Sequence, residues 1–255
     1  MSTLKFMSFN IRTETAVDGI NCFTERFPRV AEVIEKEAPD VIGFQEVKDA
    51  MRARIRREIR GYTFIGCGRD RDYHGESMLI GFRTEDIELI SLENVWLSST
   101  PQIPGTTYGG DQSHCPRMYT TALLKHKDVE HPFRFINTHL DHMGANARYL
   151  GAMQLVQAIS AYPEKFVLTG DFNAFPDSPE IGLITAALSE RGTVECTKDI
   201  GGTFHNFGKY PREKWEKIDY IFTDGDCRDA YMVEDIPVNG QYYSDHCAVC
   251  AKIEL

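Results

Sequence analysis

The sequence contains no apolar run that approaches the roughly 20 residues of a membrane-spanning helix. Residues 1–5 lack the apolar core of a secretory signal peptide. Internal repeats, low-complexity tracts and linker-like stretches are also missing. We therefore expect a cytoplasmic protein without membrane contact, built as one domain over residues 1–255, and the sequence indicates no obligate protein partner.

Basic residues are fewer than acidic residues, since the chain has 28 Lys and Arg but 38 Asp and Glu, which gives a formal net charge of −10. Such a charge disfavours nucleic acid as a partner unless a local basic patch compensates. It does not disfavour a small phosphate held by a metal ion. The candidate patch is a basic helix predicted over residues 48–60, together with Arg69 and Arg71, although six basic residues on one helix are typical of a solvated face.

The seven cysteines show no spacing that predicts a disulfide framework, since they are scattered and odd in number. This usage is typical of a reducing compartment. Cys247 and Cys250 form a CxxC inside an apolar, strand-like run. Three residues apart on a strand they would face opposite sides, so we interpret them as core thiols and not as a redox or zinc site.

Short apolar segments with β propensity alternate with a few helical patterns along the whole chain. This distribution predicts an α+β fold with two packed sheets and outer helices. A long loop without either pattern covers residues 98–116 and contains three prolines. Strands are predicted over 4–12, 40–47, 62–66, 77–82, 87–97, 117–125, 133–140, 165–168, 217–223, 231–236 and 247–253, and helices over 26–37, 48–60, 145–161 and 178–189.

The segment 169–179, TGDFNAFPDSP, follows a predicted buried strand and carries two polar side chains at its start. If the chain stays extended there, Asp171 and Asn173 point the same way and Phe172 packs into the core. A carboxylate and an amide at one strand end can grip a hard cation and a phosphoryl oxygen. The alternative is a plain turn, since Gly, Asp, Asn and Pro are common turn residues.

Polar residues recur at the ends of otherwise apolar strands, which indicates that these ends converge on one polar pocket. Carboxylates, amides and histidines without an evident Ser or Cys nucleophile suit metal-assisted attack of water on phosphorus. The residues concerned are Asn10, Glu46, His139, Asp171, Asn173, Asp219, Asp245 and His246.

Six strings that carry these residues resemble the endonuclease/exonuclease/phosphatase superfamily. They are FMSFNIR, GFQEV, NTHLDH, TGDFNAFPDSP, KIDYIFT and YSDHCAV, which occur in the family's order and cover nearly the whole chain. The resemblance implies a four-layer α/β/β/α sandwich of two mainly antiparallel sheets, with the site where the loops of both sheets meet. It also implies a Mg²⁺ cofactor, for which Mn²⁺ could substitute.

The resemblance further implies a metal site and a water-activating group. Glu46 is the expected principal metal ligand, with Asn10 beside it and Asp245 completing the site. Asp171 would position or deprotonate the attacking water, and Asn173 would hold a phosphoryl oxygen. Whether one or two metal ions bind, and which residue is the base, stay open.

The remaining roles implied by the resemblance concern the phosphate itself. His139 and His246 would contact it and stabilise the developing charge. Asp219 would orient His246 by accepting its ring proton. Arg117 precedes a strand at a position where some relatives carry a phosphate-contacting residue, and Asp141 would buttress His139.

Three functions remain open. We favour a phosphomonoesterase acting on a small phosphorylated metabolite such as a sugar phosphate, because of the acidic charge and because the loop 98–116 could cap the pocket. The alternative is a nuclease, in which Trp215 and Tyr210 could stack a base, although they could equally stack a sugar ring. A non-catalytic phosphate-binding module is the third. Histidines without a matching motif are interpreted as surface or loop residues, with the last two at the pocket edge: His74, His114, His126, His131, His142 and His205.

Overall fold

The computed structural model describes residues 2–255, which form twelve strands, four α-helices and three short 3-10 helices. The strands are β1 (Thr3–Asn10), β2 (Val41–Val47), β3 (Tyr62–Ile65), β4 (Ser77–Arg83), β5 (Ile87–Trp96), β6 (Met118–His126), β7 (Phe133–His139), β8 (Lys165–Asp171), β9 (Val194–Glu195), β10 (Asp219–Thr223), β11 (Asp226–Val233) and β12 (Ala248–Glu254). The α-helices are α1 (Phe23–Glu37), α2 (Asp49–Glu58), α3 (Ala145–Ala161) and α4 (Pro179–Ala187), and the 3-10 helices are Ala16–Asn21, Ser189–Arg191 and Arg212–Lys214.

The strands form two six-stranded sheets, in the orders β11-β12-β1-β2-β4-β3 and β5-β6-β7-β8-β10-β9. Each sheet contains one parallel pair at its centre, β1 with β2 and β7 with β8, and its other pairs are antiparallel. A helix connects each parallel pair, α1 in the first sheet and α3 in the second, as parallel pairing requires.

The molecule has four layers, helices outside each of two stacked sheets, and apolar residues fill the three interfaces between these layers. Phe6 and Phe135 pack between the two sheets with their ring centroids 6.0 Å apart. Val30 of α1 and Met51 of α2 belong to a second cluster on the outer face of the first sheet. Leu155 of α3 packs against the outer face of the second sheet together with α4. This arrangement confirms the predicted α/β/β/α sandwich.

Helix α1 begins at Phe23, three residues before its predicted start. Pro28 lies in the first turn of the predicted helix, where proline is tolerated, but in the second turn of the observed helix, where its missing N–H leaves the carbonyl of Thr24 without its helical partner. That carbonyl instead accepts a hydrogen bond from Nη1 of Arg54 on α2, at 2.8 Å. The helix ends where Ala38 adopts a left-handed conformation, directly before Pro39.

Other boundaries also differ from the prediction. The strand predicted over 231–236 is β11, which begins at Asp226 and ends at Val233. Its early start was missed because its first half is polar and a register shift between Cys227 and Asp229 interrupts the alternation. Helix α4 ends at Ala187 and is followed by a separate 3-10 helix. Helix α3 has the predicted bounds. No helix within residues 2–255 combines the length and apolar character needed to cross a bilayer.

Candidate active site

The two sheets place their polar strand ends at one common edge. Strands β1, β2, β7 and β8 all end there, with His139 paired to Asp171 in the parallel register of β7 and β8. Antiparallel β10 begins at this edge, so Asp219 pairs with Asp171. Residues 245 and 246 lie just before β12, which is antiparallel to β1 and therefore also starts at this edge. Topology thus brings together residues that are more than 200 positions apart.

A cavity of about 470 Å³ opens at this edge. Asn10 and Asp219 lie behind its wall, and each is 1% exposed. The predicted site residues that line the cavity are Glu46, Arg117, His139, Asp171, Asn173, Asp245 and His246.

The side-chain amide of Asn10 connects two carboxylates of the cavity. Its Nδ2 donates to Oε1 of Glu46 at 3.1 Å and to Oδ2 of Asp171 at 2.9 Å. Its Oδ1 accepts the backbone N–H of Arg12 at 2.9 Å. The amide therefore faces the carboxylates as a donor, and a role for Asn10 as an oxygen ligand requires the amide to rotate.

Glu46 interrupts the end of β2 with a positive φ of 66°. Its Oε2 accepts the backbone N–H of Thr13 at 2.8 Å. Burial alone would raise the pKa of Glu46, but this hydrogen bond and the positive charges of His246 and Arg12 bring it below its usual value. Glu46 is therefore held as an anion, the form that a cation ligand requires.

Asp171 has the opposite electrostatic environment. Burial and the nearby charge of Asp219 raise the pKa of Asp171 to about 7. Its Oδ2 lies 3.5 Å from Nε2 of His139 and 3.8 Å from Nε2 of His246. A carboxyl group that titrates near neutral pH between two imidazoles can accept a proton from water and release it again.

The two imidazoles differ in charge. Burial lowers the pKa of His246, but the charge and hydrogen bond of Asp219, 2.9 Å from Nδ1, raise it to about 10. Burial and the neighbouring charges of Arg117 and Arg69 hold the pKa of His139 well below its usual value. His246 is therefore an imidazolium at neutral pH, and His139 is neutral.

Asn173 lies in the cavity, but not because it continues the alternation of strand β8 as predicted. Strand β8 ends at Asp171, and Asn173 has a left-handed φ of 46°. Its backbone N–H donates to Oδ1 of Asp171 at 2.9 Å, and its Nδ2 donates to the carbonyl of Leu140 at 3.1 Å. Phe172 is fully buried, as predicted. Asp171 and Asn173 therefore both line the cavity because the chain turns after Asp171.

Arg117 lines the cavity with its side chain almost wholly buried. Its Nε lies 3.4 Å from Oδ2 of Asp141, and its Nη2 lies 2.9 Å from Nδ1 of His142. Among residues 2–255, Nη1 of Arg117 has no hydrogen-bond partner. A desolvated guanidinium with a spare donor is suited to an anionic substrate.

Asp141 supports Arg117 and a nearby turn, and the predicted contact with His139 is wrong. Its carboxylate accepts backbone N–H groups from Ser113 and Gly144 and the hydroxyl of Ser113. Although burial opposes it, these hydrogen bonds lower the pKa of Asp141 to about 2. Within the described residues, Asp141 makes no hydrogen bond to His139.

The model of the endonuclease/exonuclease/phosphatase family matches residues 7–246. The chain belongs to this family. Its members are phosphoester hydrolases and are generally dependent on divalent metal ions. No curated protein sequence matches the chain.

Solved structures of the family superpose on the whole chain. An endonuclease/exonuclease/phosphatase from Bacteroides vulgatus is 30% identical, with a TM-score of 0.93 and 100% of both chains covered. A mannosyl-6-phosphatase from Bacteroides thetaiotaomicron is 25% identical, with a TM-score of 0.87, and covers 99% of this chain and 100% of its own. TDP2 from D. rerio, solved with a single-strand DNA product, is 16% identical with a TM-score of 0.79 over 100% of both chains, which shows a shared fold alone.

The donor set in this cavity fits a hard divalent cation. Ligand atoms of Glu46, His139 and Asp171 lie within 4.8 Å of one another. Asp245 lines the same cavity, and burial together with the charge of Glu46 raises its pKa. Asp171, Asp219 and His246 form a second such group, but there the hydrogen bond between His246 and Asp219 already uses two of the three ligands. A cation near Glu46 would relieve the repulsion between the carboxylates.

Several cavity residues were not predicted. Arg69 and Glu76 come from the loop between β3 and β4, where Nη1 of Arg69 lies 2.8 Å from Oε2 of Glu76. Their only signal in the sequence was the charge of that loop. The remaining unpredicted lining residues are Arg12, Thr13, Cys115, Phe204, Asn206, Glu216 and Ile218.

The loop 98–116 reaches the cavity only through Cys115 among the described residues. Its middle lies on α3 instead. The hydroxyl of Tyr108 donates to Oε1 of Gln154 at 2.5 Å, and Asp111 accepts the N–H of Asn146 at 2.8 Å. The expectation that this loop caps the pocket is therefore wrong for its Pro- and Gly-rich part.

Two of the remaining histidines are buried and do not lie at the surface, although His205 does lie in a loop as interpreted. His126 is the last residue of β6 and is 6% exposed. His205 is fully buried beneath the cavity, with its ring between those of Trp215 and Tyr242. His142 does line the cavity, beside Arg117.

Proposed function

We propose that this protein is a divalent-metal-dependent phosphomonoesterase that acts on a small phosphorylated metabolite such as a sugar phosphate. One observation carries the proposal. Asp171, whose pKa is raised to about 7, lies within 4 Å of His139 and of His246, and His246 is held cationic by Asp219. A base for water and a donor for the phosphate therefore share one cavity.

In this proposal each side chain has one task. Asp171 orients the attacking water and accepts its proton as the water oxygen bonds to phosphorus. His246 donates to a phosphate oxygen and stabilises charge as the bond from phosphorus to the alcohol oxygen breaks. The alcohol oxygen leaves with the electron pair of that bond and takes a proton from solvent water. Asn173 and neutral His139 hold further phosphoryl oxygens.

Glu46 and Asp245, with Asn10 after rotation of its amide, would hold the cation, and Mg²⁺ is the expected ion with Mn²⁺ as a substitute. The bound ion would polarise the phosphoryl group and neutralise developing charge. The anionic state of Glu46 is favoured by Thr13 and Arg12.

The basic side chains of the cavity favour a terminal phosphate over a strand. Arg69 and Arg117 are 8% and 4% exposed, so a dianionic phosphate meets their charge only when it enters the cavity. Helix α2 contributes no lining residue to the cavity within the described chain, so its basic side chains lie outside the place where the phosphate would bind. Trp215 packs on His205 and donates its indole N–H to the carbonyl of Tyr210, so it is not free to stack a base.

The test compares hydrolysis of p-nitrophenyl phosphate with that of bis(p-nitrophenyl) phosphate in Mg²⁺, followed by sugar phosphates and single-stranded DNA and RNA at moderate salt. Phosphomonoesters should be hydrolysed fastest. The matched control is Asp171→Asn, which should lose activity and keep the wild-type circular dichroism spectrum. If a diester or either nucleic acid is cleaved faster than every monoester, the proposal is wrong and the protein is a nuclease.

A further inference from the structure

The backbone of Phe204 lies between two residues of the cavity. It pairs with Glu216 on one side, where the N–H of Phe204 donates to the carbonyl of Glu216 at 2.9 Å. It forms a bridge with His246 on the other side. The ring of Phe204 lies with its centroid 4.8 Å from that of the His246 imidazole. Phe204 and Glu216 therefore form a strip that begins at His246 and runs along one wall.

The next residues are held in a strained backbone conformation. Asn206 and Phe207 have φ values of 51° and 52°, in the left-handed region that non-glycine residues rarely adopt. The carbonyl of Asp245 accepts the N–H of His205 at 2.9 Å and that of Asn206 at 3.1 Å. The N–H of Gly208 donates to Nδ1 of His205 at 3.0 Å. Such strain persists only where surrounding contacts impose it, and here they fix Asn206 in the cavity wall.

Asn206 and Glu216 line the cavity, and the side chain of neither makes a hydrogen bond or ion pair with any residue in 2–255. Two basic residues near Glu216 in sequence, Lys217 and Arg212, are paired elsewhere. Nζ of Lys217 contacts Oε1 of Glu195 at 2.6 Å, and Arg212 contacts Glu234 at 2.6 Å. The acceptor oxygens of the Glu216 carboxylate therefore have no hydrogen-bond donor among residues 2–255, in a residue that lines the cavity.

We propose that Phe204, Asn206 and Glu216 form the subsite for the alcohol part of the substrate and select a neutral polyol such as a hexose. The inference rests on the proposed phosphatase activity. Carboxylate and amide oxygens accept hydrogen bonds from hydroxyl groups, and the Phe204 ring packs against the carbon skeleton. The Glu216 charge repels a second phosphate on the same substrate, which excludes bisphosphates and polymer backbones.

The test measures kcat/KM of wild type and Glu216→Gln on a hexose 6-phosphate, on a hexose 1,6-bisphosphate and on p-nitrophenyl phosphate, which has no hydroxyl groups. Loss of a hydrogen bond to a charged group should lower kcat/KM on the hexose 6-phosphate about tenfold. The value for p-nitrophenyl phosphate should stay within about twofold, because the phosphate contacts are unchanged. Activity on the bisphosphate should rise relative to the monophosphate.

Two further variants complete the design. Glu213→Gln removes the same charge from the exposed Arg212–Lys214 turn and should change none of the three values. Asn206→Gly keeps the left-handed backbone and removes the amide. It should lower kcat/KM on the hexose 6-phosphate as Glu216→Gln does, but without a relative gain on the bisphosphate, because it removes no charge. If Glu216→Gln changes kcat/KM equally for all three substrates, the subsite proposal is wrong and the phosphatase proposal is unaffected. A wild type inactive on every monoester overturns both.

Discussion

Nδ1 of His246 lies 2.9 Å from Oδ2 of Asp219, and the same oxygen accepts the hydroxyl of Thr203 at 2.5 Å. Both side chains are almost fully buried. Burial by itself would lower the pKa of His246, so its rise to about 10 depends on the charge and hydrogen bond of Asp219. Asp219 thus controls the charge of His246 without reaching the cavity.

We expect Asp219→Asn to lower kcat less than His246→Ala, which should cost roughly 10²–10⁴-fold. In the His246→Ala background, Asp219→Asn should cause no further loss, since the two residues act as one unit. The pH–rate profile of Asp219→Asn should lose activity at lower alkaline pH than wild type, because the imidazolium then deprotonates earlier. Strictly additive losses would assign Asp219 a separate task.

A chelator should abolish hydrolysis, and added Mg²⁺ or Mn²⁺ should restore it. Glu46→Gln keeps the side-chain shape and removes the charge of the proposed principal ligand, so its metal titration should shift to higher concentration with partial recovery at high Mg²⁺. The matched control is Glu14→Gln, whose carboxylate contacts Thr24 outside the cavity. Full activity in excess EDTA, or an unshifted titration, contradicts the proposed role of Glu46.

The fold was largely predictable because strands alternate and the six motif strings mark their ends. Helix α3 follows from its long stretch of apolar residues, and the central strand β8 follows from the continuous apolar run of residues 166–168. The two-residue strand β9 was missed because two residues carry no period, and the start of α1 was missed because a carbonyl contact compensates for Pro28.

The motif residues were predictable as a group because each lies at or next to one end of an apolar strand. Arg69, Glu76 and Glu216 were not, because their loops carry charge without period and reach the cavity only through tertiary packing. Strand alternation was an incomplete guide to Asn173. An extended strand was expected to point Asn173 the same way as Asp171, but a turn with a left-handed residue at Asn173 brings it to the cavity instead.

His205 should make folding sensitive to acid. Burial, with the charges of His246 and Arg212, lowers the pKa of His205 from 6.5 to about 4. Between these values the unfolded chain binds more protons, so stability falls as pH drops from about 7 to about 4. The loss at pH 5 relative to pH 7.5 should be about 2 kcal/mol, from about 1.4 kcal/mol per pKa unit.

His205→Gln should remove this contribution, so urea unfolding at the two pH values should differ by less than in wild type. His131 is a suitable control position because its side chain is 83% exposed, and His131→Gln should keep the wild-type difference. An unchanged difference in His205→Gln would show that other groups cause the acid sensitivity.

Gly43 marks a close contact between the two sheets. A Cβ at this position in β2 would lie 2.6 Å from Oδ1 of Asn137 and would also overlap Oγ1 of Thr169. Asn137 cannot move freely, because its Nδ2 donates to the carbonyl of Phe44 at 2.8 Å and its Oδ1 accepts Nε2 of Gln45 at 2.6 Å. A methyl group here must separate the sheets or break a buried hydrogen bond.

Gly43→Ala should therefore lower the free energy of unfolding by about 1–3 kcal/mol or more, the usual cost of overpacking. The same substitution at Gly182 in α4 should act in the opposite direction, because no atom lies within 4 Å of its added Cβ. Alanine there should stabilise the helix by about 0.5–1 kcal/mol. Urea unfolding of both variants measures the two effects under one condition. Equal stability of Gly43→Ala and wild type would mean that the sheets separate at that point without cost, which contradicts the packing described for Asn137.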